Sequence, residues 1–147
     1  MQFRHILAPT DFSEYSKKAV GSALELARKF GAKLTILHVV ELPPYPVEGY
    51  VPPAVNATFL DDLERQATQD LAQLVPEAES SNVEVVRLVA VGSPYRKIID
   101  TAEAEQVDLI VMATAGRTGF GHLVMGSIAE RVVRTATCPV LTIRPRE

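Results

Sequence analysis

The sequence predicts an α/β fold, a single doubly wound domain in which helices cover both faces of a five-stranded parallel sheet. The chain has 147 residues, 47% of them hydrophobic and 22% charged, which is typical of one globular domain with a substantial core. Short apolar runs alternate with segments of helical periodicity along the chain. Such an alternation favours a Rossmann-like parallel sheet with right-handed crossovers.

The first strand–helix–strand unit is predicted from residues 3–40. Residues 3–8 (FRHILA) form an apolar strand, and either Asp11 or Ser13 caps the helix that follows. Gly31 stands where a helix end favours a left-handed residue. Residues 33–40 (KLTILHVV) form the second strand. The inner face of the helix consists of Val20, Ala23, Leu24 and Ala27.

A proline-rich segment separates this unit from the next helix. Residues 41–56 hold five of the ten prolines, so an irregular excursion is expected. The second helix runs until Pro76 interrupts it, and residues 83–90 (VEVVRLVA) form the third strand. The apolar face of this helix consists of Leu60, Leu63, Ala67, Leu71 and Leu74.

The last third of the chain contains two more helices and two more strands. The Ser-Pro pair at 93–94 begins the third helix. Residues 107–113 (VDLIVMA) are a nearly continuous apolar strand, as expected when both faces are buried. Ser127 is expected to cap the fourth helix in a capping box with Glu130. Residues 139–144 (PVLTIR) form the last strand.

Charge and composition exclude several classes of protein. A net charge of −3 and a pI near 5.6 are unlike the basic surface that nucleic acid requires. The single cysteine, Cys138, forms no internal disulfide and is expected to be a packed thiol. The first residues show no signal peptide, and no apolar run approaches the roughly 18 residues of a membrane span. We expect a soluble, cytoplasmic protein.

Two unusual loops predict the position of a site. Residues 8–13 (APTDFS) follow the first strand, and residues 113–127 (ATAGRTGFGHLVMGS) follow the fourth. With the strand order 3-2-1-4-5, both loops line one crevice at the carboxyl edge of the sheet. Gly116 and Gly119 permit either a positive φ or close backbone approach, and Arg117 supplies charge. The glycine–serine helix start at 126–127 favours an anion.

Neither common phosphate-loop motif matches this segment. A P-loop requires lysine and a hydroxyl residue after its second glycine, and the dinucleotide fingerprint follows a first strand. The glycines here instead resemble the nucleotide signature G-x2-G-x9-G-(S/T) of the universal stress protein family. Gly116 is its second glycine, nine residues intervene, and Gly126 and Ser127 complete it. PTDFS and SIAERVVRTATCPVLTIRP extend the resemblance over essentially the whole chain.

This resemblance implies a homodimeric, ATP-binding protein of stress response. The adenine and ribose would lie against Asp11 and Val39, with the phosphates, and a Mg or Mn ion on them, at the glycine loop. The residues expected to bind the nucleotide are Pro9, Thr10, Asp11, Val39, Met112, Ala113, Gly116, Arg117, Gly126, Ser127 and Ile128. The last strand would lie at a sheet edge and pair with its twin. The residues expected at that interface are Val140, Leu141 and Ile143.

Two alternatives remain open from the sequence. Ala113 replaces the first glycine of the signature, and Ala115 stands where many members carry histidine. These departures favour a dimeric interaction module that binds no ATP. An ATP-hydrolysing or nucleotidyl-transferring enzyme is the other alternative. No nucleophile–base pair stands out, and the H-x-G-H element of related transferases matches only at Gly121 and His122. We therefore expect at most slow hydrolysis, and His38 is expected to be a hydrogen-bonded structural residue.

Overall fold

The computed structural model describes residues 1–42, 57–77, 79–116 and 125–144. Strands and helices alternate throughout these residues, as predicted. The strands are β1 (His5–Pro9), β2 (Lys33–Val40), β3 (Val85–Val91), β4 (Leu109–Ala113) and β5 (Val140–Ile143). The helices are α1 (Glu14–Phe30), α2 (Ala57–Leu74), α3 (Pro94–Ala104) and α4 (Ser127–Thr135). Most of the proline-rich segment, residues 43–56, lies outside the described residues.

The strands form one parallel sheet in the order β3-β2-β1-β4-β5. Both the predicted fold class and the predicted strand order are therefore confirmed. β1 pairs with β2 on one side and with β4 on the other, with Leu7 opposite Ile110. Since the chain leaves β1 for one half of the sheet and β4 for the other, the strand order reverses between these two strands.

Each face of the sheet packs against two helices. The α1/α2 core includes Ile6, Ala8, Leu34 and Ile36 from the strands, and the α3/α4 core includes Leu7, Leu37 and Ile110. This division follows from the alternation of side chains along a strand. The predicted inner face of α1 is confirmed, because its four residues are all at most 5% exposed. No helix among the described residues is long and apolar enough to cross a membrane.

The two ends of α1 are set by Ser13 and Gly31. Of the two predicted caps, the structure selects Ser13, which has extended backbone and whose side-chain oxygen accepts a hydrogen bond from the N–H of Ser16. Asp11 lies two residues earlier, and its side chain accepts from the N–H of Ser13 at 2.9 Å. Gly31 ends the helix with φ of 64°, as predicted.

The start of α4 differs from the prediction. The N-cap is Gly126, with extended backbone, and its carbonyl accepts from the N–H of Glu130 at 2.9 Å. Ser127 is therefore the first helical residue, and the predicted capping box is wrong. Because Glu130 lies one position too far along to reach back to the cap, its carboxylate pairs with Arg134 at 2.8 Å instead.

Candidate functional site

The loops that follow β1 and β4 leave the sheet side by side at its carboxyl edge. The parallel register of Leu7 with Ile110 places the last residues of the two strands within one residue of the same level. In open α/β sheets, ligands bind beyond this edge where the strand order reverses. The site predicted from sequence therefore lies where the topology favours a ligand.

Asp11 and Gly116 bring the two loops together. A Cβ atom placed on Gly116 would lie only 2.5 Å from Oδ2 of Asp11, a separation that real Cβ atoms essentially never show. The φ of Gly116 is not in the left-handed region. Glycine is required here for close approach, and of the two reasons that the sequence offered, the structure selects this one. Any side chain at position 116 would displace the Asp11 carboxylate.

A compact set of hydrogen bonds holds the β1–α1 loop. The hydroxyl of Thr10 lies 2.9 Å from that of Ser16 and also accepts from the N–H of Phe12 at 3.0 Å. Oδ1 of Asp11 accepts from the N–H of Ser13. Phe12 has φ of 64°, a left-handed conformation that is a genuine outlier for a bulky residue. This loop is therefore a built, strained turn that fixes the carboxylate of Asp11.

The β4–α4 segment closes on itself at Thr114 and Gly126. The N–H of Gly126 donates to the carbonyl of Thr114 at 2.6 Å, and the N–H of Thr114 donates to Ile143 of β5 at 3.1 Å. A Cβ on Gly126 would lie 3.2 Å from that carbonyl, tighter than an ordinary contact. Gly126 is thus held against the end of β4, and α4 begins directly from it.

The first turn of α4 presents backbone N–H groups at this edge. Among the described residues, no side chain caps the helix at Gly126. The N–H groups of Ser127 and Ile128 lie at the positive end of the helix dipole, where an anion is favoured. Ser127 is exposed and Ile128 is 38% exposed.

The strand ends beneath the loops form an apolar floor. Val39 of β2 and Met112 of β4 are buried in the same α3/α4 core, and Pro9 of β1 is buried between their strands. Ala113, the last residue of β4, pairs with Ile143 in extended conformation. Alanine is fully compatible with extended backbone, so the departure from the signature at Ala113 leaves the strand end intact.

The predicted site residues are brought together only in part within the described residues. Asp11, Gly116 and the start of α4 meet at one edge, whereas Arg117 lies outside the described residues, as do Gly119, Gly121 and His122. In the described part of the chain, no group of three or more His, Cys, Asp or Glu residues is placed to hold a metal ion. Cys138 lies at the opposite edge, before β5.

A comparison with protein-family models matches the universal stress protein family over residues 2–144. The chain belongs to this family. Universal stress protein MJ0531 of Methanocaldococcus jannaschii is 33% identical over 146 residues, which cover 97% of this chain and 82% of that protein. The solved structure of the universal stress protein UspA from Lactobacillus plantarum superposes with a TM-score of 0.81 at 26% identity, covering 98% of this chain and 99% of that one.

Two other universal stress protein structures of the same fold contain adenine nucleotides. One is a complex with cAMP, with a TM-score of 0.74 and 20% identity, covering 99% of this chain and 100% of that one. The other, from Archaeoglobus fulgidus, is a complex with dAMP, with a TM-score of 0.67 and 21% identity, covering 98% of this chain and 100% of that one. At these identities the likeness establishes the shared fold.

Sequence reasoning missed one feature of this universal stress protein, the contact of His38 with the backbone of the β1–α1 loop and with the ring of Phe12. His38 lies near the end of β2, with Nδ1 2.8 Å from the carbonyl oxygen of Thr10. The ring of Phe12 packs on the imidazole with centroids 4.5 Å apart. The sequence predicted a hydrogen-bonded histidine at this position. The sequence does not indicate which groups His38 contacts, because no sequence pattern shows that Phe12 adopts a left-handed conformation.

Proposed function

We propose that this universal stress protein binds ATP at the carboxyl edge of its sheet and acts in stress response as a homodimer. The observation that carries the proposal is the close approach of Asp11 and Gly116. It joins the two loops that the family signature and the strand order both single out. The complexes of other family members with cAMP and dAMP support an adenine nucleotide as the ligand class.

The start of α4 is suited to the phosphates. Its backbone N–H groups and helix dipole attract negative charge without any side chain. The cap residue, Gly126, has no Cβ, so an anion can approach the N–H groups of Ser127 and Ile128 closely. Arg117 lies outside the described residues and is proposed, from the sequence, to add positive charge to this site.

The apolar floor and Asp11 are suited to the nucleoside. Val39 and Met112 are buried on one face of the sheet and offer a surface for the flat adenine ring. The Asp11 carboxylate is a strong acceptor for a ribose hydroxyl. In this proposal Pro9, Thr10 and Ala113 line the strand ends between base and phosphates.

A divalent cation would be held mainly by the nucleotide. Mg²⁺ keeps several waters and is usually bound through one or two carboxylates together with substrate phosphates. The described residues lack a preformed cluster of three ligands, so we propose that Mg or Mn enters with ATP.

The homodimer is proposed to form through β5. This strand lies at the sheet edge and pairs with β4 on its one covered side. Leu141 is 40% exposed, whereas Val140 and Ile143 pack partly against the two cores. An edge with an exposed leucine favours a second copy across a two-fold axis. Sedimentation equilibrium of the purified chain should give twice its mass of 16.0 kDa.

The test of nucleotide binding is a calorimetric titration of the purified protein with ATP and Mg²⁺. A ligand that binds only the native state must also raise the melting temperature, by the equivalent of about 2.7 kcal/mol at a hundred times its Kd. If the titration shows no heat of binding and millimolar ATP does not raise the melting temperature, the proposal is overturned in favour of an interaction module of the same fold. Denaturing freshly purified protein and identifying released nucleotide by mass spectrometry tests ATP against ADP and AMP.

A pair of alanine substitutions locates the site. Gly116→Ala must push the Asp11 carboxylate aside, so we expect about tenfold weaker ATP binding with little loss of stability. Gly21→Ala is the matched control, because a Cβ there meets nothing within 4 Å. It should leave affinity unchanged and stabilise α1 by about 1 kcal/mol. Equal affinities in the two variants would place the nucleotide elsewhere.

A further inference from the structure

The imidazole of His38 has a defined protonation pattern on the side that faces the loop. Its Nδ1 lies 2.8 Å from the backbone carbonyl oxygen of Thr10. A carbonyl oxygen can only accept a hydrogen bond, so Nδ1 must carry the proton and donate it. In the neutral ring, Nε2 is then the unprotonated nitrogen.

This hydrogen bond fixes the peptide unit that precedes the Asp11 side chain. In a trans peptide the carbonyl oxygen and the following N–H point in opposite directions, so holding the Thr10 carbonyl also orients Asp11. The N–H of Thr10 donates to Leu37 at 2.8 Å. β2 thus holds Thr10 through both its N–H and its carbonyl, at two consecutive residues, Leu37 and His38.

His38 also contacts the residue that makes the turn strained, Phe12. Phe12 is in a left-handed conformation that a bulky residue keeps only when its surroundings impose it. Its ring lies over the His38 imidazole at 4.5 Å, with 37° between the planes. One histidine therefore supports both the carbonyl before Asp11 and the side chain after it.

We infer that His38 is a positioning residue for the nucleotide site, whose Nδ1–H holds Asp11 against Gly116. The inference rests on the proposed function and adds a residue that the nucleotide signature does not contain. His38 acts through the backbone of Thr10. The geometry of Asp11, and with it ATP affinity, depends on a donor at the position of Nδ1.

His5 provides a matched comparison at the other end of the sheet. Its Nδ1 lies 3.0 Å from the carbonyl oxygen of Glu105, and its Nε2 lies 2.7 Å from the hydroxyl of Thr35. Both histidines donate from Nδ1 to a loop carbonyl, but His5 is at the amino edge, remote from Asp11 in the fold. The same substitution at both positions separates a general loss of stability from a loss of positioning.

Two amide side chains distinguish the ring nitrogens. In His38→Asn the amide nitrogen falls where Nδ1 was, whereas in His38→Gln it falls near the place of Nε2. We expect His38→Asn to bind ATP within about twofold of the wild type, and His38→Gln to bind about tenfold more weakly. His5→Gln should melt at a lower temperature and keep its ATP affinity within about twofold.

The tautomer of His38 can also be measured in the wild-type protein, so the inference can be tested even if a variant does not fold. Two-bond ¹H–¹⁵N correlation of the histidine rings should show His38 as the Nδ1–H tautomer, before and after ATP is added. The Nε2–H tautomer would overturn the inference, as would a folded His38→Gln variant that binds as tightly as the wild type. In either case, ATP binding by the wild type would leave the proposed function intact. A wild type that binds no ATP would overturn both.

Discussion

The two edges of the sheet differ in how completely side chains satisfy the backbone groups of the described residues. At the amino edge, Oδ2 of Asp108 accepts from the N–H groups of Arg4 and His5 at 2.8 and 2.9 Å. Both ring nitrogens of His5 are hydrogen bonded as well. At the carboxyl edge, the first turn of α4 has no cap from a described side chain, and Phe12 keeps a strained conformation. Side chains satisfy the backbone at the amino edge and around the start of α1, whereas no described side chain caps the start of α4.

The difference follows from the direction of the strands. In a parallel sheet each crossover helix begins at the carboxyl edge, so N–H groups and positive dipole ends collect there. Ser13 satisfies this need for α1, whereas no side chain among the described residues accepts at the start of α4, where Gly126 is the cap. The amino edge therefore mainly stabilises the fold, whereas the carboxyl edge is where we propose that an anionic ligand binds.

The largest expected effect comes from adding a branched side chain at the carboxyl edge. Gly126→Val should weaken ATP binding by about a hundredfold, because its Cβ already lies 3.2 Å from the Thr114 carbonyl. Its methyl groups must then occupy space in front of the N–H groups of α4. Calorimetric titration measures the loss, and circular dichroism confirms that the variant is folded. A folded variant with unchanged affinity would break the assignment of this edge to phosphates.

A smaller effect, on stability alone, is expected at the amino edge. Asp108→Ala removes the carboxylate that accepts from the N–H groups of Arg4 and His5, and should lower the free energy of unfolding by about 1–2 kcal/mol. ATP affinity should stay within about twofold of the wild type. Urea denaturation and titration of the same sample give both quantities. A large loss of affinity would show that the two edges are not independent.

The fold could be predicted from the sequence because its signals are local and repeated. Apolar runs such as that ending at Ala113 and a helix stop such as Gly31 are readable in the letters, and the two unusual loops pointed to the correct strand order. The helix starts were harder. The letters at 126–127 allow either residue as the cap, and the structure selects Gly126 because it is the last residue with extended backbone.

The contacts within the candidate site could be predicted less well, since they depend on atoms far apart in sequence. Close approach at Gly116 was among the reasons given for a glycine there, but its partner Asp11 lies more than a hundred positions away along the chain. The role of His38 depends on the left-handed turn at Phe12, which has no sequence signature. Side chains that act through tertiary hydrogen bonds are beyond what periodicity and spacing reveal.

The smallest expected effect concerns Cys138, which lies just before β5 at the amino edge of the sheet. Burial is the main reason that the pKa of its thiol is raised above the ordinary value. Backbone hydrogen bonds at Cys138 and Ile110 lower this pKa in part, and the negative charge of Asp108 raises it further. A raised pKa means less thiolate at neutral pH. Alkylation by iodoacetamide should therefore be slower in the native protein than in urea, and should accelerate as the pH rises through the folded pKa. The stability linked to this shift is present below the ordinary thiol pKa and is lost over the same rise in pH.

Asp108→Asn tests the electrostatic part of this effect while keeping the side chain's shape. Removing the charge takes away one of the causes that raise the Cys138 pKa, so the native alkylation rate at pH 8 should increase by a small factor. The rate in urea is the control and should not change, because the unfolded chain no longer holds the two groups together. If the native rate also stays the same, the carboxylate does not act on the thiol. Asp108 would then serve the amino edge only through its two backbone hydrogen bonds.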